Sequence, residues 1–140
     1  MVRLIVGSKG SGKTKKLISR VNEAAEVSKG NVVCIEKGNS LRYDINHHVR
    51  LIDINEYSVT GADAYYGFIA GLLAGNYDIT DIFGDATFKI LYGKGGKDTE
   101  GFADFALRLS QQAKSSDICI YLTVSCDAGE LPERIKDLII

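Results

Sequence analysis

Several residue types that would narrow the function are scarce in this chain. It has no tryptophan, one proline, two histidines and three cysteines among 140 residues. Three cysteines without a C-x-x-C pair argue against a disulfide scaffold and are typical of reduced thiols in a cytoplasmic protein. The neighbouring His47 and His48 have no cluster of cysteines or carboxylates close to them in the sequence. We therefore expect a solvated loop there rather than a metal site.

A strong net charge and a long apolar run are also absent. The formal net charge is −1, so no basic field draws the chain to nucleic acid or to anionic lipid. No apolar stretch reaches the roughly 20 residues that span a membrane. The first predicted strand starts at residue 3 and leaves no room for a signal peptide. We expect residues 1–140 to form a single domain of a cytoplasmic protein, without a membrane or nucleic-acid partner.

Residues 7 to 14 carry the most specific pattern of the chain. They match G-x-x-x-x-G-K-[ST] at every position with Gly7, Ser8, Lys9, Gly10, Ser11, Gly12, Lys13 and Thr14. Glycines in such a loop let consecutive backbone N–H groups approach an anion. Lys13 is placed to reach the β- and γ-phosphates of a nucleoside triphosphate, and the Thr14 hydroxyl to ligate Mg²⁺. The alternative is a glycine-rich turn that binds nothing.

Predicted strands and helices alternate along the chain around this loop. The apolar run 3–6 precedes the loop, and a helix is predicted from residue 15 to residue 27. Further strands are predicted at 32–35, 49–54, 79–83 and 118–124, and further helices at 60–74, 99–113 and 133–138. The alternation predicts an α/β fold with a mainly parallel sheet of about five strands and helices on both faces.

Polar residues that follow the predicted strands are the candidates for chemistry, because ligands bind at the carboxyl ends of such sheets. Asp85 would hold Mg²⁺ together with Thr14 if the fourth strand neighbours the first. The alternatives are a turn aspartate at this position, or Asp81 as the metal-binding carboxylate. Ser125 ends the fifth predicted strand, where its hydroxyl either senses the γ-phosphate or satisfies nearby backbone. Thr123 points to the same side as Ser125.

A second glycine-rich segment, residues 92–98, contains Lys94 and Lys97 around Gly95 and Gly96. It can fold over a nucleotide as a lid, contact an acidic partner, or remain an exposed loop without a ligand. Arg42 and Arg50, near the ends of the second and third predicted strands, are weaker candidates to contact a substrate.

Through residues 7–14 the chain resembles the P-loop nucleoside triphosphatases. After the loop, two predicted strands and a helix come before the strand that leads to Asp85, and this order resembles the RecA-like and thymidine-kinase-like branch. The whole chain is also similar to small bacterial proteins labelled as twitching-motility ATPases, although it lacks the N-terminal domain and the additional motifs of that motor. The resemblance implies a three-layer P-loop fold with ATP and Mg²⁺ as ligands. It implies Lys13, Asp85 and Ser125 as catalytic residues and Thr14 and Asp85 as metal ligands.

The chain departs from the resemblance at two points. Hydrolytic members of this branch usually carry a glutamate after the metal-binding aspartate, and here the residue is Ala86. The zinc-binding cysteine cluster of thymidine kinases is absent as well.

Three hypotheses follow. The leading one is an ATP-binding protein with slow or partner-stimulated hydrolysis, in which a protein partner or a second copy supplies an arginine. The absence of an N-K-x-D tetrapeptide favours adenine over guanine. The second is a kinase for a small nucleoside-like molecule, with Asp44, Arg42 and His47 near the acceptor. The third is a non-hydrolysing switch in which nucleotide orders residues 92–98 for a partner.

Overall fold

The computed structural model describes all 140 residues, and its centre is a five-stranded sheet. The strands are β1 (Val2–Gly7), β2 (Asn31–Glu36), β3 (Arg50–Asp53), β4 (Ile79–Gly84) and β5 (Cys119–Ser125). They lie in the order β1-β5-β4-β2-β3, and every neighbouring pair is parallel. The predicted parallel sheet of five strands is therefore confirmed.

Four α-helices accompany the strands: α1 (Lys13–Val27), α2 (Ala62–Gly75), α3 (Thr87–Tyr92) and α4 (Thr99–Ser116). Three of them lie close to the predicted bounds. The exception is α3, which was not predicted because six residues are too few to show a helical period. The predicted closing helix is a 3-10 helix, Glu133–Leu138, and a second 3-10 helix, Ile54–Tyr57, replaces the end of the third predicted strand.

The sheet is covered by a hydrophobic core on each face. On β2, Val33 and Ile35 belong to the larger core, whereas Val32 and Cys34 belong to the smaller one. This division follows because successive side chains of a strand point to opposite faces. The larger core contains residues of α2, α3 and α4, and the smaller core contains residues of α1. The three-layer arrangement with helices on both faces is confirmed.

The order of the strands decides which loops meet. β5 is the last strand in sequence but lies between β1 and β4. The carboxyl ends of β1, β5, β4 and β2 therefore follow one another along one edge of the sheet. The condition under which the sequence placed Asp85 beside the loop, that its strand neighbours β1, is not met, because β5 separates the two.

The outer edge of β1 is covered by the C-terminal residues. The Ile140 N–H donates to the Leu4 carbonyl at 3.0 Å, and Ile139 bridges to Leu4. Covering an edge strand in this way limits its pairing with other chains.

None of the helices combines the length and the apolar character that crossing a membrane requires.

Gly30, directly before β2, is required by a close approach of two backbone segments. A Cβ atom here would overlap the carbonyl oxygen of Asp78, which also accepts a hydrogen bond from the Asn31 N–H at 2.7 Å. We predict that Gly30→Ala lowers the free energy of unfolding by about 1–3 kcal/mol, because the segments leading into β2 and β4 must separate. Urea denaturation measures this change.

The matched control is Gly67→Ala in α2, where an added methyl group meets no atom within 4 Å. This variant should gain about 0.5–1 kcal/mol, since alanine is the better helix former. A Gly30→Ala protein as stable as the wild type would contradict the assignment.

Candidate functional site

The loop between β1 and α1 turns sharply at its glycines. Gly10 and Gly12 have φ angles of 82° and 89°, a region that side chains with a Cβ atom enter at a cost. A side chain at Gly7 would overlap the Ser11 hydroxyl. These three positions explain why the loop needs glycine.

Most backbone N–H groups of this loop are free. Among residues 8–12, only Ser11 donates a hydrogen bond to another backbone group, the Ser8 carbonyl at 3.1 Å. α1 follows with Gly12 as its N-cap, without a side-chain cap and without an acidic residue in its first turn. Free N–H groups and the positive end of a helix dipole together attract an anion.

Lys13 adds a positive charge at the same place. The residue is only 9 % exposed, its amine donates to the Ser8 carbonyl at 2.9 Å, and it forms no ion pair. A buried ammonium group with a single carbonyl partner is incompletely satisfied. The amine can therefore exchange this carbonyl for a phosphate oxygen.

Asp85 reaches the loop across the intervening strand. Its two carboxylate oxygens lie 3.3 and 3.4 Å from the Thr14 hydroxyl, and the Thr123 hydroxyl of β5 donates to Oδ1 at 2.5 Å. The Asp85 N–H donates to the Ile35 carbonyl of β2 at 2.9 Å. Thr123 also accepts a hydrogen bond from the Ala86 N–H at 3.0 Å. Groups from both neighbouring strands thus orient the carboxylate.

Thr14 and Asp85 supply the type of ligand that Mg²⁺ takes from proteins. Mg²⁺ is usually held by one or two carboxylates, waters and the phosphate oxygens of a substrate rather than by a cage of protein groups. No group of three or more histidines, cysteines and carboxylates that could hold a metal occurs in the chain. The pair therefore suits Mg²⁺ that arrives with a phosphate ligand.

The residues on either side of Asp85 fix the backbone around it. A Cβ atom at Gly84 would lie 2.5 Å from the Tyr65 hydroxyl and 2.8 Å from Leu122 Cδ2. Ala86 has φ 54° and ψ 45°, a left-handed conformation that costs a residue other than glycine about 1–2 kcal/mol. Packing of the following helix, α3, in the larger core holds Ala86 in that conformation.

Tyr65 itself is fully buried and its hydroxyl has no hydrogen-bond partner. Burial, with smaller effects of Cys34 and Asp85, raises the pKa of this hydroxyl. The group therefore stays protonated, and it packs against Gly84 without acting as a base.

The loop and Asp85 open onto a cleft of about 670 Å³. Its lining includes Ser125 and Thr123, one carboxylate, Asp85, and six lysines: Lys9, Lys13, Lys37, Lys89, Lys94 and Lys97. Although the net charge of the chain is −1, these six lysines concentrate positive charge at this edge of the sheet. A cleft lined by one sign of charge focuses the field and draws in anions.

The segment that follows α3 forms one wall of this cleft. Lys94, Gly95 and Gly96 line it, and the Lys97 amine lies 2.7 Å from Glu130 Oε2. This hydrogen bond raises the pKa of Lys97 and lowers that of Glu130. Both side chains are well exposed, so the pair adds little stability. It does tie the segment to the residues after β5.

No second carboxylate lines the cleft. Glu36, at the end of β2, is 3 % exposed and accepts hydrogen bonds from the Ser40 N–H, the Ser40 hydroxyl and the Leu41 N–H at 3.0–3.2 Å. Its role is to fix the segment that follows β2. Asp85 is thus the only acidic group in contact with the cleft.

Several other candidates lie outside the cleft. Asp81 accepts a hydrogen bond from the neighbouring Thr80 hydroxyl at 2.7 Å. Arg42 stacks over Tyr43, with its guanidinium carbon 4.8 Å from the ring centre. Arg50 is the first residue of β3, so its expected position near a strand end that binds ligands is wrong.

The cysteine next to Ser125 has no nucleophilic character. Cys126 is 2 % exposed, and burial raises the pKa of its thiol above the ordinary value. A thiol of this kind is mostly protonated at neutral pH and reacts slowly.

No model of a known protein family matches the chain, and no curated protein matches it. The interpretation of the cleft therefore depends on its geometry and charge.

We predict that Thr123→Val lowers the free energy of unfolding by about 1–3 kcal/mol. The substitution keeps the shape of the side chain but leaves the Ala86 N–H without its acceptor and Asp85 with the Thr14 hydroxyl as its only side-chain donor. Urea denaturation provides the measurement. Thr123→Ser, which retains the hydroxyl, should lose clearly less stability, and equal losses in the two variants would show that the hydroxyl is unimportant.

Proposed function

We propose that this chain binds ATP with Mg²⁺ as a P-loop protein and hydrolyses it slowly, or at a useful rate only with a partner. The observation that carries the proposal is the distance of 3.3–3.4 Å between the Thr14 hydroxyl and the Asp85 carboxylate, directly beside the loop of free N–H groups. Oxygen ligands for a cation and donors for phosphates are adjacent in this cleft, as nucleotide binding requires.

Each residue has a defined part in binding. The N–H groups of residues 8–12 and the start of α1 hold the phosphates, and the Lys13 amine moves from the Ser8 carbonyl to the β- and γ-phosphate oxygens. Thr14 and Asp85 hold the Mg²⁺, which neutralises charge on the β- and γ-phosphates when it is bound. Thr123 keeps the carboxylate oriented, and the Ser125 hydroxyl lines the cleft where it can donate to the γ-phosphate.

Slow hydrolysis follows from the lack of a general base. Water attacks the γ-phosphate faster when a carboxylate or glutamine orients it. Asp85 is committed to the cation, Ala86 has no polar group, and Glu36 is engaged by three donors outside the cleft. A partner or second copy would have to supply the missing groups.

A nucleotide-dependent switch is the second candidate, favoured by the Lys97–Glu130 ion pair. Lys97 lines the cleft while its amine contacts Glu130. Phosphates in the cleft compete with Glu130 for this amine, and the exchange would change how residues 93–98 are held. The small-molecule kinase has less support, because Asp44 and His47 are exposed and outside the cleft.

We predict that Lys13→Ala weakens binding of Mg·ATP about a hundredfold, since it removes charge-assisted contacts to two phosphates. Calorimetric titration measures the affinity, and release of inorganic phosphate followed in parallel separates an ATPase from a switch. Lys16→Ala is the matched control, because Lys16 is an exposed residue of α1 that does not line the cleft. Failure of the wild type to bind Mg·ATP would overturn the proposal.

We predict that Asp85→Asn removes most of the gain in nucleotide affinity that Mg²⁺ provides, a loss of about tenfold or more, because an amide is a weaker ligand than a carboxylate. Titration of ATP with Mg²⁺ and with a chelator measures this gain. Asp81→Asn, a change of the same type in the strand that precedes Asp85 but outside the cleft, should keep it. A larger effect at Asp81 than at Asp85 would reverse the assignment.

A further inference from the structure

Three lysines of the cleft have no partner within the protein. Lys37, Lys89 and Lys94 line the cleft and form no ion pair. The nucleotide site proposed above does not require them, because Lys13 and the loop N–H groups hold the phosphates. Like charges that face one cleft repel one another, and an anion between them removes the repulsion.

The three lysines come from different segments that meet only in the fold. Lys37 follows β2, Lys89 lies in α3, and Lys94 belongs to the segment between α3 and α4. Their convergence is therefore a property of the cleft and does not reflect a basic stretch of sequence. The chain as a whole has a net charge of −1, so three lysines in one cleft do not reflect a generally basic protein.

The cleft also extends farther than the nucleotide site. Two strands, β5 and β4, separate β1 from β2. With about 4.8 Å between neighbouring strands, the end of β2 lies roughly 14 Å from the end of β1. The ends of β1 and β4 are two strand spacings apart, and β2 is one spacing farther. In the proposed site, a triphosphate reaches from the loop after β1 to the Mg²⁺ at Asp85 and so occupies the first two spacings. Lys37 lies beyond Asp85, on the side away from the loop.

The composition of the lining indicates the chemical class of a second ligand in the cleft. Ala86 and Phe88 are its only apolar residues, so the cleft does not suit an apolar molecule. Three unpaired ammonium groups on different segments around one cleft suit a phosphate group, which has several charged oxygens around one centre. A cleft of about 670 Å³ has the size of a site for small molecules.

We propose that Lys37, Lys89 and Lys94 form a second anion subsite, which binds a small phosphate-bearing compound next to the nucleotide. The proposal deepens the proposed function and rests on it, since the first anion in the cleft is the triphosphate of ATP.

Inorganic phosphate is the probe for this subsite. We would titrate it into ¹⁵N-labelled protein saturated with Mg²⁺ and a non-hydrolysable ATP analogue, and follow the backbone amides by two-dimensional NMR. Saturable shifts are expected at residues 37, 89 and 94. The double variant Lys37→Gln/Lys89→Gln should weaken the apparent phosphate affinity about tenfold. Lys114→Gln, an exposed lysine in the last turn of α4, is the matched control and should leave it unchanged.

Two results would overturn the subsite. In one, phosphate shifts only the amides of residues 7–14, and more of the ATP analogue reverses these shifts. The two anions then compete for one site, and the cleft holds a single anion. In the other, sodium chloride at the same ionic strength reproduces the shifts at the three lysines. If the wild type does not bind the analogue, phosphate is titrated into the Lys13→Ala variant without the analogue. Saturable shifts at the three lysines then support the subsite although the nucleotide proposal fails, and their absence overturns both.

Discussion

The orientation of Asp85 is the interaction on which the rest of the cleft depends. Its N–H is bonded to β2, its carboxylate accepts the Thr123 hydroxyl of β5, and the same oxygens lie within 3.4 Å of Thr14 in α1. The Thr123 contact exists because β5 lies between β1 and β4 and ends beside Asp85. β5 pairs with both β1 and β4, so it also sets the spacing between the loop after β1 and the carboxylate after β4.

The same edge of the sheet is positively charged, and acidic residues elsewhere in the chain offset this charge. Six of the lysines line the cleft, although the net charge of the protein is −1. A site for an anion needs such a field, whereas fast hydrolysis also needs a base, and the cleft has no free carboxylate besides Asp85. Under the proposed function, the arrangement therefore favours holding phosphates over rapid cleavage, and a partner would supply the missing base.

Local sequence patterns were sufficient for the parallel sheet, for helices α1, α2 and α4, and for the loop at residues 7–14. Each of these depends on neighbours in the chain: apolar runs for the strands, helical spacing for the helices, and glycines where φ is positive. The short helix α3 was missed, since its apolar residues Phe88, Ile90 and Leu91 are held by packing and show no helical period. The 3-10 geometry of Glu133–Leu138 was missed as well.

The sequence by itself determined the α/β alternation and the glycine loop with Lys13 and Thr14, and it offered Asp85 with Asp81 as the alternative carboxylate. Only the tertiary structure decided that Asp85 and not Asp81 lines the cleft, that β5 separates β1 from β4, and that Thr123 orients Asp85. It also decided that Lys37, Lys89 and Lys94 share one cleft. The reason is physical. Strand order and the convergence of distant side chains depend on how whole elements pack, and no local period in the sequence records that packing.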